Sequence, residues 1–296
     1  MFSIAVCTYN RSEQLSALMD QLAGMSAWLN DNVELIIVNN NSSDDTLAVL
    51  ETYQKKFSFR VVTEKQQGLS AARNRAIEEF NENVLLFWDD DIRVSQTTLE
   101  QYKEAFKSQP EMGFFGGKIY IDWPSEQPNW YEGNKLSLID GMLGSYDLGD
   151  QNRVYNDNDL KPYGANFALR RTLIDVVGKF NTELGVKGEG IGRGEESDFL
   201  ARAISKGFKG MYLANAVVGH YYDSGKLTPA YLYRYGIEKG KCLCSDQQSN
   251  PLSSLANIVF YFMKGIFQLL KGKRGNFYQC VINMGIKHAL FFTDKK

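Results

Sequence analysis

Val84-Leu-Leu-Phe-Trp-Asp-Asp-Asp91 sets a short apolar run directly against three aspartates. A run of that length reads as a buried strand rather than a helix, and the aspartates mark its carboxyl end. The same grammar recurs toward the N-terminus. Ser3–Cys7 is an apolar run that ends in Thr8-Tyr9-Asn10-Arg11, and Val33–Val38 (VELIIV) ends in Asn39-Asn40-Asn41-Ser42-Ser43-Asp44. Between the runs, Leu15, Leu18, Met19, Leu22 and Met25 recur at helical spacing. Thr46–Phe57 and Ser70–Phe80 read as helices, and Phe59–Val62 as a strand. Strands alternating with helices of about ten residues predict a parallel sheet with helices on both faces.

In such sheets ligands bind outside the carboxyl ends of the strands. Three polar clusters fall on that one edge, enough to surround a nucleotide. An acidic run by itself is usually a solvated turn. At the end of a buried strand, beside two other polar strand ends, the triplet reads instead as a site for a hard divalent cation, Mn²⁺ or Mg²⁺, bridging carboxylate and diphosphate.

The bulk properties fit this plan. The chain has 296 residues, 44% hydrophobic and 23% charged, room for one large α/β domain or one domain with an appendage. A net charge of −2 gives no reason to expect a nucleic-acid partner. Cys7, Cys242, Cys244 and Cys280 are read as free thiols in a reducing compartment, consistent with a cytoplasmic protein. The start of the chain lacks the charged and long apolar regions of a signal peptide, and none is expected. No apolar stretch reaches the ~18 uncharged residues of a spanning helix.

After Asp91 the pattern loosens, and residues 123–161 form a long Gly-, Asn- and aromatic-rich segment of the kind that is usually functional or mobile. Trp123, Trp130 and Tyr131 within it would either stack on sugar faces or simply pack. Regular structure resumes with strands at Tyr163–Leu169, Phe208–Leu213 and Ala216–Val218, and with helices at Thr172–Val177, Glu195–Lys206 and Thr228–Ser245. Two more helical segments are expected within Leu252–Phe292.

Gly192-Arg-Gly-Glu-Glu-Ser-Asp198 places acids at the start of a helix. The helix dipole favours acids there, so the placement alone is ordinary. Its functional reading is a general base that takes a proton from a hydroxyl acceptor. The glycines from Gly185 to Gly194 match neither G-x-G-x-x-G nor a G-K-[ST] loop. His220 follows a strand. A lone histidine is most often structural, but imidazole is also a common metal ligand and would complete a site begun by Asp91.

Taken together, IAVCTYNR, VELIIVNNNSSDDT, GLSAARNRAI, VLLFWDDD, GANFALRR, GEESDFLARA and AVVGHYYDSGKLT resemble the family 2 glycosyltransferases. They stand in that family's order over roughly the first 230 residues. The resemblance implies a GT-A fold, a Rossmann-like and mostly parallel sheet flanked by helices, with a C-terminal helical appendage. It implies a catalytic domain over residues 1–225, with a nucleotide-sugar half to about 120 and an acceptor half from 121, and a helical region over 226–296. It further implies inverting transfer from a nucleotide-diphosphate sugar, a UDP-sugar in the usual case, to a carbohydrate or lipid-linked hydroxyl, as in bacterial surface polysaccharide or glycolipid synthesis. Thr8, Tyr9, Arg11, Asn39, Asn41, Arg73, Asp89 and Asp90 would hold the nucleotide sugar. Asp91 and His220 would hold the metal, and Glu196, with Glu195 beside it, would serve as base. Two positions depart from the family pattern. Asn39 replaces the usual aspartate, though an amide can still bond a uracil edge. Glu196 replaces the usual aspartate and lengthens the acid by one methylene.

Two other function classes bear on the same residues. A sugar-phosphate nucleotidyltransferase would carry a basic, glycine-rich loop after its first strand, and CTYNR lacks one. A non-catalytic nucleotide-sugar binding module would not need Asp89, Asp91, Glu196 and His220 intact.

From Pro251 onward the chain carries about +6, leaving about −8 for the remainder. Leu255–Leu270 is strongly apolar and is broken by Lys264. Residues 250–296 are therefore read either as helices packed on the domain or as a peripheral contact with the inner face of a membrane.

Overall fold

The computed structural model describes residues 1–131, 137–188, 190–243 and 251–293. Cys244, Ser245, Lys295 and Lys296 lie outside them, as does the side chain of Cys242; Cys7 and Cys280 are free thiols. The chain forms two compact units. The first comprises Met1–Asp122, Tyr146–Gly190 and Gly194–Tyr221, and the second Trp123–Ser145, Ile191–Arg193 and Tyr222–Lys296.

The first unit is built on one sheet. Strands β1 (Phe2–Thr8), β2 (Val33–Asn39), β3 (Arg60–Thr63) and β4 (Val84–Asp89) are followed by the two-residue β5 (Ile92–Arg93), the long β6 (Met112–Asp122), β7 (Arg153–Val154), β8 (Asn166–Arg170) and β9 (Lys209–Tyr221). Their order is β3-β2-β1-β4-β8-β6-β9-β5, with β7 paired to β9. The β3-β2-β1-β4 half is parallel, as expected. In the other half β8 runs antiparallel to both β4 and β6, and β6 runs parallel to β9.

Side-chain alternation divides the sheet between two cores. Ile4, Val6, Leu35, Ile37, Leu86 and Trp88 face helices α1 (Ser12–Gly24), α2 (Ser26–Asn32), α3 (Thr46–Gln54) and α5 (Gln96–Ser108). Ala5, Ile36, Val38, Leu85 and Phe87 face α4 (Leu69–Glu79), α7 (Arg171–Val177) and α8 (Glu195–Ser205). Both faces are covered, which is why these strands read as continuous apolar runs.

Several elements differ from the sequence reading. Strand β6 and helix α5 occupy a region where no periodicity stood out. Two adjacent glycines obscure β6. A Cβ on Gly117 would lie 2.2 Å from both the Asn166 Nδ2 and the Ala216 carbonyl oxygen, so only glycine fits that close approach. Phe208–Leu213 and Ala216–Val218 prove to be parts of one strand, β9. The first helix stops at Gly24, and α2 follows it directly.

The second unit contains α6 (Ser137–Leu143), a short 3₁₀ turn at Ser224–Leu227, α9 (Pro229–Leu243), α10 (Pro251–Leu270) and α11 (Arg274–Thr293). Helix α11 packs on both α9 and α10, burying Cys280, Val281, Ile282 and Ile286. Trp123, Trp130 and Tyr131 pack edge-on against one another, and Trp123 lies 4.5 Å from the Tyr222 ring. Tyr131 is buried and its hydroxyl donates to Asp140 at 2.6 Å. Among the described residues no helix is long and apolar enough to cross a membrane.

Candidate active site

The parallel half of the sheet brings the three polar clusters together. In register, Thr8 lies beside Asn39, and Cys7 beside Asp89. The loops after β1 and β2 are laced to each other. Asn10 and Asn41 both adopt the left-handed backbone conformation, at φ 50° and 62°, which asparagine tolerates better than most residues. Asn10 Oδ1 accepts from the Ser43 amide at 2.7 Å, and the Asn10 amide donates to Ser42 Oγ at 3.1 Å. Asn39 is buried, and its Oδ1 accepts from the Ser42 amide at 3.0 Å. Asn40, in the middle of the same cluster, ties this loop to the next one. Its Nδ2 donates to the Glu64 and Gln66 carbonyls, and its Oδ1 accepts from the Gly68 amide at 2.8 Å. Thr8 is buried, Tyr9 half-buried and Asn41 exposed.

The aspartate triplet is less exposed than a surface acidic turn. Asp90 and Asp91 are buried, and Asp89 is only partly open. Immediately after Asp91 the chain reverses into β5, which pairs antiparallel with β9 and sets Ile92 opposite His220. The Tyr221 amide donates to the Asp91 carbonyl at 2.9 Å. This pairing carries His220 from the far end of the unit to Asp91, with Nε2 3.4 Å from Oδ1. Asp89, Asp91 and His220 each offer one ligand atom, all within 4.8 Å of one another. Two carboxylate oxygens and one imidazole nitrogen at that spacing suit one hard divalent ion of the Mn²⁺ or Mg²⁺ type. Arg11 Nη1 meets the same cluster, donating to Asp91 Oδ2 at 2.6 Å and to Asp90 Oδ1 at 3.0 Å. Burial lifts the Asp90 carboxyl well above the ordinary carboxylate range against the pull of Arg11. Burial raises Asp89 as well.

A second charged centre lies alongside. Arg73, on α4, is 2% exposed. Its Nη1 lies 3.1 Å from Glu195 Oε1 and 3.0 Å from Glu196 Oε1, and its Nη2 lies 3.9 Å from Asp89 Oδ1. Both glutamates open α8, behind Gly194 in a left-handed conformation. They are not equivalent. Burial, with the charge of Glu196, pushes the Glu195 carboxyl well up. Burial would raise Glu196 too, but the charge of Arg73 together with hydrogen bonds from Arg73, Glu195 and the backbone holds that carboxyl below its usual range, and Glu196 keeps some solvent access. Asp198, the third acid of the turn, is committed to Arg202 at 2.9 Å. Asp89 thus touches both centres, and Arg73 joins the strand-edge carboxylates to the helix carboxylates.

Gly164 is a site residue that sequence pattern alone did not single out. A Cβ there would fall 1.9 Å from Arg73 Nη2 and 2.2 Å from Glu196 Oε1. Arg73 is held in place by three carboxylates, so it cannot yield cheaply. Gly164→Ala is therefore expected to destabilise the protein by about 1–3 kcal/mol, the usual range for overpacking, and to disturb the Arg73–Glu196 pair. Thermal unfolding with circular dichroism is the check; a wild-type melting temperature would show that the pair relaxes freely.

Known proteins share this architecture. The mannosyltransferase PcManGT from Pyrobaculum calidifontis, solved with GDP-Man and Mn²⁺, superposes with a TM-score of 0.64, covering 100% of this chain and 88% of its own at 15% identity. The fold is thus GT-A. The glucosyl-dolichyl phosphate glucuronosyltransferase of Haloferax volcanii is 21% identical over 220 residues, 74% of this chain and 68% of that protein. The cholesterol galactosyltransferase of Borreliella burgdorferi is 32% identical over 99 residues, only 33% of this chain and 27% of that protein. The sequence profile described as glycosyl transferase family 2 matches residues 3–178, a span that takes in the three strand-end clusters, Arg73 and the aspartate triplet. With more than half of its length matched by that profile, the chain belongs to glycosyl transferase family 2.

Proposed function

We propose that the chain transfers a sugar from a nucleotide-diphosphate donor, a UDP-sugar, to a hydroxyl of a carbohydrate or lipid-linked acceptor in bacterial surface polysaccharide or glycolipid synthesis, with inversion at the anomeric carbon. The observation that carries the reading is the pair of linked centres. Asp89, Asp91 and His220 converge on one point, and the Glu195–Glu196 pair is joined to Asp89 through Arg73.

The roles follow from the chemistry of each group. Asp91, His220 and Asp89 would hold a divalent ion, Mn²⁺ or Mg²⁺, and the chemistry it would supply is positive charge against the departing diphosphate. Thr8, Tyr9, Asn39 and Asn41 edge the nucleoside side, where the amide of Asn39 suits a uracil edge. Arg11 neutralises Asp90 and Asp91 and can turn toward diphosphate oxygens when the donor arrives. Glu196 takes the acceptor proton as the new bond forms. The neighbouring guanidinium keeps Glu196 ionised and therefore able to accept. Glu195, more buried and raised, shares the Arg73 Nη1 with Glu196.

The test is a panel of UDP-, GDP- and other nucleotide sugars incubated with the purified chain, Mn²⁺ and short saccharide or lipid acceptors, read by release of nucleoside diphosphate. Release with one donor class, stopped by chelator, is the expected result. No release from any donor–acceptor pair, despite donor binding, would reassign the chain as a binding module.

A further inference from the structure

Helix α10 presents a continuous apolar face to solvent. Nine large apolar side chains between Leu255 and Leu270 are exposed, with Leu270 at 82% and Met263 at 61%. Leu255, Val259, Phe262, Met263, Ile266 and Leu270 recur at three- and four-residue intervals, so they lie along one side of the helix. The opposite side is spoken for. Gly265 is buried, and a Cβ there would sit 3.3 Å from Cys280 Cβ and 3.5 Å from the Phe277 ring on α11. In the rest of the described chain exposed large apolar residues are spread thinly along the sequence, as is normal for a surface. A patch this large and contiguous marks a contact surface.

The charges around the face identify what it contacts. No acidic residue occurs from Pro251 through Thr293, while Lys264, Lys271, Lys273 and Arg274 are all exposed. Two of these lysines lie along aromatic rings of the same helix. Lys264 Nζ sits 5.7 Å from the centre of the Phe260 ring, and Lys271 Nζ 4.2 Å from that of Phe267. Each thus sets its ammonium group beside the apolar face, where a long side chain can carry the charge to the phosphate level of a lipid–water boundary. The helix does not meet the length and apolarity of a spanning segment. A second copy of this segment would bring the same apolar strip but no acidic partner for the cations. An anionic lipid surface accepts both the apolar strip and the cations beside it.

We propose that α10 lies in the plane of an anionic membrane, with the Leu255–Leu270 face inserted among the acyl chains and Lys264, Lys271, Lys273 and Arg274 at the phosphate level. The proposal does not depend on the transfer chemistry above.

The test is flotation of the full chain with phosphatidylcholine vesicles, with and without phosphatidylglycerol, beside two double variants at exposed positions, F262Q/I266Q and K264Q/K271Q. The full chain is expected to float with the phosphatidylglycerol vesicles at low salt and to be released by high salt. K264Q/K271Q should partition about thirtyfold more weakly, the loss expected for two lysines at a charged surface. F262Q/I266Q should stay at the bottom. Both variants should retain the wild-type circular dichroism and the wild-type release of nucleoside diphosphate on a water-soluble acceptor, a readout that speaks to the transfer chemistry alone. A full chain that stays at the bottom with anionic vesicles, or an F262Q/I266Q variant that floats as well as wild type, overturns the proposal. A concentration-dependent dimer that F262Q/I266Q abolishes would assign the face to a second copy instead.

Discussion

Glu196→Gln should lower kcat by about 10²–10⁴-fold, the weight usually carried by a general base. The substitution keeps the shape of the side chain and removes its ability to take the acceptor proton. Donor affinity should hardly move, because that carboxylate is assigned to the acceptor. The pH profile separates the two glutamates. Arg73 holds Glu196 below the ordinary carboxylate range, so its basic form is already present in weakly acidic solution. If Glu196 is the base, kcat should be flat upward from about pH 5 on this limb. Glu195 is shifted the other way by burial. A rate that keeps climbing through neutral pH, together with a near-normal kcat for Glu196→Gln, would move the role to Glu195. Asp198 is a weaker substitute because Arg202 already occupies it.

The second large effect is expected at Asp91. Its carboxylate is buried and bound by Arg11, so an alanine there would remove packing as well as charge. Asp91→Asn is the cleaner change, since the amide oxygen can still accept from Arg11. Loss of one carboxylate from the three-ligand cluster should reduce kcat by about 10²–10³-fold or more, the scale of losing charge stabilisation on a leaving group. Chelation of the wild type should do the same. Thermal unfolding gives a reading free of catalysis. Mn²⁺ at about a hundred times its Kd should stabilise the wild type by about 2.7 kcal/mol, and Asp91→Asn far less at the same concentration. Full turnover in excess chelator would show that no metal takes part in the transfer.

What could be read from the sequence, and what could not, has a physical pattern. The β1–β4 half was legible because its strands are buried on both faces and end abruptly in polar residues. Local pattern and strand ends are all that a βα repeat needs. The β6–β9 half was not. Gly117 lowers the strand signal of β6, and its reason for being glycine, the Asn166 side chain packed on it, comes from a distant segment. His220 was named from its residue type and the strand before it. Its approach to Asp91 depends on β5, a two-residue strand too short for any periodicity to reveal. Arg73 shows the limit most plainly. The family resemblance implies for it a place near the nucleotide, and its 2% exposure and three carboxylate neighbours add a second role that no motif announces, as the link between two acidic centres. A buried ion network is assembled from residues on α4, β4 and α8, and no local window contains it. The exposed face of α10 was half visible. Its apolar character and flanking lysines are in the sequence, but which side packs on α11 is a tertiary fact.

The Asp89–Asp91–His220 centre and Glu196 are proposed to act together in inverting sugar transfer. Time-resolved proton NMR of the purified full chain with Mn²⁺, an α-linked nucleotide sugar and a hydroxyl acceptor tests it in one experiment. The expected result is loss of the α-anomeric donor signal, a matching rise of a β-linked product and one nucleoside diphosphate per sugar transferred, all absent with Glu196→Gln. Release of sugar 1-phosphate instead, or an α-linked product, would contradict it.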